Sequence, residues 1–447
     1  MRSFQETGRE SRRIGIEPGR RIVLTVFGTL GDLHPFLAIA LGLKTRGHQV
    51  IVASYGRYRE QVETLGLGFH TVRPDLYSQA ESDPALARQV MDQRRGLETV
   101  IRRLMAQLRD SFDDLSEAAR GADLLVSHAM TFGTRLVAEV QGTRWASMLM
   151  APCGFLSAYD PPVIGEAPYL TPLRSLGSGF HRPLFWLMRR VIRSWGEPWH
   201  RLRSELGLPP AGEPVLDGQH SPELVLAHFS PLLGAPQPDW PPQARLTGFP
   251  FFDPPGDSRL HPDLETFLND GPPPIVFSLG SSAVLDPGPF YAKSITAATS
   301  MGRRAVLLVG SDARGLPTGS LPEGVAAFAY APFSELFPRS AAVVHQGGIG
   351  TVGLAMRTGL PMLIVPHAFD QPDNAARAAR LGVARVIPRR RYTAMRAASE
   401  LRRLLEGQTY VVRAAEVRRR VHDEDGVGAA CDALEGLMRK PHRGIQP

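Results

Sequence analysis

Apolar residues in this chain fall into two alternating rhythms from Arg20 onward. "RIVLTVF" (21–27) is an unbroken apolar run of strand length. "GTLGDLHP" then turns the chain, and "FLAIALGLKTRG" carries apolar positions at helical spacing up to Gly47. "HQVIVAS" predicts a second strand and "YREQVETLG" a second helix. Strands alternating with helices in this way predict parallel βαβ units. Residues 84–119 predict one or two amphipathic helices. "ADLLVS" (122–127) and "RWASMLM" (144–150) predict strands flanking a helix at 131–141. Between 151 and 222 the alternation fades into a stretch rich in Pro, Arg and aromatic residues. It resumes with "PPIVFSLGSS" (273–282), "RAVLLVG" (304–310), "GVAAFAY" (324–330), "AAVVHQ" (341–346) and "GLPMLIVP" (359–366).

This pattern divides the chain. Residues 1–20 form a basic tail expected to be disordered, and 21–234 a first doubly wound domain. Residues 235–270, including the proline-rich "GFPFFDPPGDSRLHPD" (248–263), form a linker. A second doubly wound domain covers 271–425. Residues 426–447 are a helix and tail able to cross back to the first domain. In open α/β sheets ligands gather at the carboxyl ends of the strands, so two such domains facing each other would share one cleft.

Composition narrows the picture. A chain of 447 residues exceeds one ordinary core, and 43% hydrophobic with 21% charged residues reads as soluble and globular. No apolar run reaches the ~18 residues of a membrane span, and no secretory leader is expected. Two cysteines, Cys153 and Cys431, fit a reducing cytoplasm better than a disulfide framework. The net charge of +7 comes from 51 basic residues, of which only Lys44, Lys293 and Lys440 are lysines. Part of that charge lies in the first 21 residues, so no nucleic-acid partner is expected.

The chemistry concentrates in "HQGGIGTVG" (345–353). Gly348-x-Gly350-x-x-Gly353 follows an apolar strand and opens a helix, as a dinucleotide fingerprint does, and Asp370 lies downstream as its acidic residue would. Glycines and free helix-start amides, however, suit any diphosphate. Three features argue against a nicotinamide cofactor. The motif sits in the second half, the path to Asp370 runs through Pro366 and His367, and His345 supplies an extra donor.

"HQGGIGTVGLAMRTGLPMLIVPHAFDQPDNAARAARLGVA" (345–384) resembles the donor-binding signature of family 1 glycosyltransferases with the GT-B fold. "GTLGDLHPFLAIALGLKTRGHQVIVAS" (28–54) resembles the opening of bacterial sterol, rhamnosyl and antibiotic glycosyltransferases. "FSLGSS", "YAPFSELFP" and "LTGFPFF" extend the likeness over about 21–425. The fold it implies is α/β, with two Rossmann-like doubly wound domains facing across a cleft.

The resemblance implies roles by position. His345, Gly348, Gly350, Thr351 and Ser281 would hold the donor diphosphate. Tyr330 would lie against the nucleobase, with the backbone of Ala331 and Phe333 reading its edge. Asp370 and Gln371 would hold sugar hydroxyls, the carboxylate accepting and the amide both giving and accepting. Asp32 would take the proton of the acceptor hydroxyl, with His34 as the other candidate base and His128 on the acceptor side. Each also has a reading without a ligand: a strand-end histidine, an N-cap serine, a core tyrosine, an Asx turn, a helix-start aspartate. Gly353 stands where plant members place a ribose-binding Glu, so UDP and dTDP stay open.

No cofactor and no metal is implied. Asp423-Glu424-Asp425 has a D-x-D spacing that another glycosyltransferase fold uses for a cation, but its charged surroundings read as solvated. The function so implied is an inverting, metal-independent transfer of a hexosyl group from a UDP- or dTDP-sugar to a hydroxyl of a hydrophobic acceptor. That acceptor could be a lipid, a sterol, a polyketide or another natural product. The alternatives are a sugar-nucleotide epimerase and a non-catalytic sugar-nucleotide-binding subunit. "FHRPLFWLMRRVIRSWGEPWHRLRSE" (180–205) reads either as a lid over the acceptor or as a helix at a membrane surface. The chain is accordingly expected in the cytoplasm, with peripheral contact at the inner membrane face left open.

Overall fold

The computed structural model describes residues 19–253 and 259–441; most of the tail expected over 1–20, and residues 442–447, lie outside that range. Two parallel sheets build it. The first contains β1 (Arg21–Thr25), β2 (Gln49–Ser54), β3 (Gly68–Thr71), β4 (Leu124–His128), β5 (Arg144–Leu149), β6 (Val225–Ala227) and β7 (Ala244–Leu246), in the order β3-β2-β1-β4-β5-β6-β7. The second contains β8 (Ile275–Ser278), β9 (Ala305–Leu308), β10 (Val325–Phe328), β11 (Ala342–His345), β12 (Met362–Ile364) and β13 (Ala384–Val386), in the order β10-β9-β8-β11-β12-β13.

The central strands are mostly apolar because helices cover both faces of each sheet, with polar residues such as Ser278 and His345 at their carboxyl ends; β8, β9 and β11 are buried throughout. Both sheets reverse their strand order at a comparable point. β1 pairs with β2 on one side and β4 on the other, and β8 pairs with β9 and β11. The crevice of an open α/β sheet opens at such a reversal, beyond the carboxyl ends of the two strands. Asp32 lies just beyond β1 and His128 ends β4; Ser281 lies just beyond β8 and His345 ends β11.

Two expectations need correction. The stretch 235–270 is more than a linker: it supplies β7 to the first sheet, and its helix Pro262–Asn269 packs Leu264 and Leu268 into a core that includes Val276 and Val343 of the second sheet. Residues 84–119 form three helices, Pro84–Val90, Gly96–Ala106 and Leu108–Ala118. The final helix, Gly426–Arg439, packs against the first-lobe helix Leu30–Thr45, with Ala430, Cys431 and Leu434 buried beside Ile39 and Leu43.

The acidic triplet before that helix is also not solvated as a unit. Asp425 caps the helix by accepting from Gly428 N at 2.8 Å, and Glu424 accepts from the Ser230 hydroxyl. Among the described residues, no helix is long and apolar enough to cross a membrane.

Candidate functional site

At the first reversal point, Asp32 occupies the opening turn of the helix Leu30–Thr45. Its Oδ2 accepts from the Thr29 backbone N at 2.8 Å and lies 3.4 Å from Thr29 Oγ1, so the aspartate closes the helix start upon itself. Its other oxygen, Oδ1, is 3.5 Å from His128 Nε2. The Nδ1 of His128 accepts from Met130 N at 3.2 Å, which places the ring proton of the neutral tautomer on Nε2, facing Asp32. Phe27 stacks on the His128 ring at 6.5 Å, and Phe27 and Met130 also line a small recess shared with Leu104, Arg73 and Ser111.

His34 does not join this pair. Two residues further round the helix, it packs on Phe252 at 5.0 Å, and burial pushes its imidazole down to about 4.

At the second reversal point the glycine-rich stretch turns from β11 into the helix Ile349–Thr358. Gly347 has φ 93°, and a Cβ there would meet Ile364 Cγ2 at 2.8 Å, so this position requires glycine. Gly348 is the N-cap. At Gly350 a Cβ would meet nothing within 4 Å, so the first turn of the helix faces open space. Thr351 is buried in the same turn. A Cβ at Gly353 would come within 3.0 Å of the Phe249 ring, so lobe packing excludes a larger side chain there.

His345 is fully buried, and burial pushes its imidazole down to about 3, so the ring is neutral. Its Nδ1 accepts from Gly347 N at 3.1 Å, and its Nε2 has no partner within the chain. A buried N–H without an acceptor is costly, and a ligand oxygen would satisfy it.

Asp370 and Gln371 sit at the start of the helix Gln371–Arg380. Burial pushes the Asp370 carboxyl up to about 6; Asn374 opposes the shift, and the negative charge of Asp32 adds to it. Asn374 Nδ2 donates to Asp370 Oδ2 at 2.7 Å and to Gly347 O at 3.0 Å, tying the Asp370 carboxylate to the glycine turn. The Gln371 side-chain oxygen already accepts from His367 N and Ala368 N, at 2.9 and 3.1 Å. Its amide nitrogen alone is left to meet a ligand, so the expected two-way role reduces to donation.

Ser281, in the short helix Gly280–Ala283, donates to Thr29 Oγ1 at 2.7 Å and so joins the two lobes. Tyr330 is 59% exposed beyond the end of β10, so it is not a core aromatic. Ala331 is buried, and Phe333 stacks on Phe337 at 4.5 Å in a turn packed beside the Ile349–Thr358 helix. Among the described residues, no group of three or more His, Cys, Asp or Glu side chains is placed to hold a metal ion.

Sequence reasoning missed Thr29, Asn374 and a buried interlobe cluster. Thr29 was visible as a T-x-x-D capping pattern. In the cluster, Arg377 Nε donates to Asp373 Oδ2 at 2.6 Å, its Nη1 donates to Leu233 O at 2.9 Å, and it also pairs with Asp160. Asp373 Oδ1 accepts from Val163 N at 2.9 Å. The 157–164 segment of the first lobe is thereby fastened to the helix that begins at Gln371.

Comparison with known proteins agrees with this geometry. Residues 22–123 match the glycosyltransferase family 28 N-terminal domain, and 297–425 match the erythromycin biosynthesis protein CIII-like C-terminal domain. The chain is 34% identical over 434 residues to the O-mycaminosyltylonolide 6-deoxyallosyltransferase of Streptomyces fradiae, covering 93% of this chain and 97% of that one. It is 31% identical over 373 residues to glycosyltransferase GtfE of Amycolatopsis orientalis, covering 81% and 85%. A sterol 3-beta-glucosyltransferase of Cryptococcus neoformans is 27% identical, and only 27% of its length is matched, so the sterol likeness is distant. Among solved structures, glycosyltransferase VinC in complex with dTDP superposes with a TM-score of 0.66 at 22% identity, covering 94% of this chain and 100% of that one. The kitacinnamycin glycosyltransferase superposes at 0.69 with 20% identity, covering 94% and 100%. The architecture is GT-B.

Proposed function

We propose, from the premise that this chain belongs to the family 1-like glycosyltransferases of the antibiotic type, that it moves a hexosyl group from a UDP- or dTDP-sugar to a hydroxyl of a hydrophobic small molecule, with inversion and without a metal ion. The observation that carries this reading is the facing of the two reversal points: a held carboxylate, Asp32, on one side, and the unpartnered His345 Nε2–H, an open helix start and Asp370 on the other.

In the step, the acceptor oxygen bonds to the anomeric carbon while the bond from that carbon to the diphosphate oxygen breaks and its electron pair leaves with the phosphate. The acceptor proton passes to Asp32. The His128 Nε2–H and the Thr29 amide fix that carboxylate so that its remaining lone pairs meet the incoming hydroxyl. Charge growing on the leaving diphosphate is met by the His345 Nε2–H and by the amides at the start of the Ile349–Thr358 helix, which carry the positive end of the helix dipole. Attack from the Asp32 side, opposite these groups, inverts the anomeric centre. A hydrophobic acceptor is favoured by the likeness to the O-mycaminosyltylonolide 6-deoxyallosyltransferase.

The test is turnover of purified chain with a panel of UDP- and dTDP-sugars and polyketide aglycones, with and without a chelator. A new glycoside of inverted anomeric configuration, formed at an unchanged rate in chelator, is expected. An isomerised donor with no glycoside would overturn the reading.

A further inference from the structure

The helix Ser178–Ile192 divides its side chains in two. His181 and Phe185 are buried, Phe185 in a small core with Leu156 and Ala158. The opposite face carries Phe180, Trp186, Leu187 and Val191, with Trp186 62% and Val191 65% exposed; Tyr169 and Leu176, in the preceding segment, are exposed as well. Side chains turned to solvent in this way do not line an acceptor pocket, so the lid role falls to the buried face alone. A contiguous apolar patch of this kind marks an interaction surface.

The helix itself carries charge of one sign, with Asp217 beside Arg189 and Glu197 past its end. From Ala167 to Gly196 the chain contains five arginines and neither Asp nor Glu. Arg174 turns back to Pro161 O, and Arg189 pairs with Asp217. Arg182, Arg190 and, just past the helix, Arg193 stay exposed, Arg182 donating to Tyr159 Oη at 2.6 Å and Arg190 lying over the Trp186 ring at 5.9 Å. Aromatic side chains flanked by arginines, on a helix too short to span, are the composition that settles at the boundary of lipid headgroups and acyl chains. A second copy fits poorly, because a twofold contact through this face would set the three arginines against themselves.

We propose that the Phe180–Arg193 face docks on an anionic lipid bilayer. There the apolar side chains enter the interface and the arginines meet lipid phosphates. This gives the enzyme reading above a partner: a hydrophobic acceptor dissolved in the membrane would be collected beside the lobe that receives it.

Vesicle flotation tests the contact without any turnover. Wild-type chain is expected to float with phosphatidylcholine vesicles containing about 30% phosphatidylglycerol at least about tenfold more than with phosphatidylcholine alone. The effect should vanish in ~0.5 M salt. Trp186→Ser with Leu187→Ser, and separately Arg182→Glu with Arg190→Glu and Arg193→Glu, should each remove capture. Both variants should keep wild-type transfer to a water-soluble acceptor. Absent capture, equal capture by neutral vesicles, or a dimer in light scattering that the Trp186 and Leu187 changes dissociate would each defeat the proposal. A chain that floats as expected but transfers no sugar defeats the enzyme reading and leaves this one standing.

Discussion

The Ser281 hydroxyl donates to the Thr29 hydroxyl across 2.7 Å, and Thr29 in turn lies against the Asp32 carboxylate, so one chain of contacts runs from the donor lobe to the candidate base. Ser281 has one proton. A diphosphate that takes it must break the bond to Thr29, so donor binding and the setting of Asp32 are coupled. Thr29→Val is expected to lower kcat by about tenfold while tightening donor binding a few-fold, because Ser281 is then free for phosphate. Thr29→Ser should restore both values. Initial rates and calorimetric donor titration measure the split; weaker donor binding in Thr29→Val would show that Thr29 is only a helix cap.

The Asp32–His128 contact makes a second prediction. Asp32→Asn keeps the side-chain shape but removes the proton acceptor, so kcat should fall by roughly 10²–10⁴ with donor affinity retained. His128→Phe keeps a ring against Phe27 and removes the Nε2–H that holds Asp32. It should cost less, about tenfold. The double variant should be no slower than Asp32→Asn alone, since His128 acts through the aspartate. Additive losses would mean that His128 meets substrate directly.

The sequence was most readable where one physical requirement dominates a stretch. Fully buried parallel strands need unbroken apolar runs, and β1, β8, β9 and β11 were legible for that reason. Strands β6, β7 and β13, of three residues each, are too short to show a period, so the pattern alone reads β7 as linker. The glycine-rich turn was legible because Gly347 tolerates no Cβ. Asn374 and Arg377 were hidden because each acts on chain far away in sequence: Asn374 on Gly347, Arg377 on Asp160 and Leu233. His34 and Asp32 stand two apart in sequence yet leave the helix in different directions, a distinction that spacing alone could have drawn.

Asp370 predicts a pH dependence. Its folded-state carboxyl is raised to about 6, chiefly by burial. For the free protein, the stability tied to its neutral form is therefore full below the unfolded value of ~3.9 and is lost as pH rises through about 6. Donor binding should run the opposite way, because only the carboxylate accepts from two sugar hydroxyls. Donor affinity should fall as pH drops below about 6, and Asp370→Asn should flatten that profile while weakening binding above it. Titration calorimetry at several pH values checks both; an affinity independent of pH in the wild type would remove Asp370 from the sugar site.

The buried guanidinium of Arg377 gives the last prediction. It joins Asp373, which is fully buried, to Asp160 and Leu233 of the other lobe. Arg377→Met preserves much of the volume but leaves Asp373, which has no access to water, without its cation, while Asp160 keeps Arg380 at 3.3 Å. Breaking a buried pair from one side costs ~3–5 kcal/mol, so the variant should unfold at markedly lower denaturant. Asp160→Asn should cost less, since that carboxylate is partly exposed, and should instead loosen the 157–164 segment, read as faster amide exchange at Val163. Although burial alone would raise it, Arg377 and Arg380 hold the Asp160 carboxyl below its usual value. Its stabilising pair is therefore intact above the unfolded value of ~3.9 and is lost as pH falls through the lower folded one. The protection of the Val163 amide, the slowing of its exchange relative to the unfolded chain at the same pH, should stay high at neutral pH and fall only in acid. Fast exchange at neutral pH would mean that the clasp does not hold in solution.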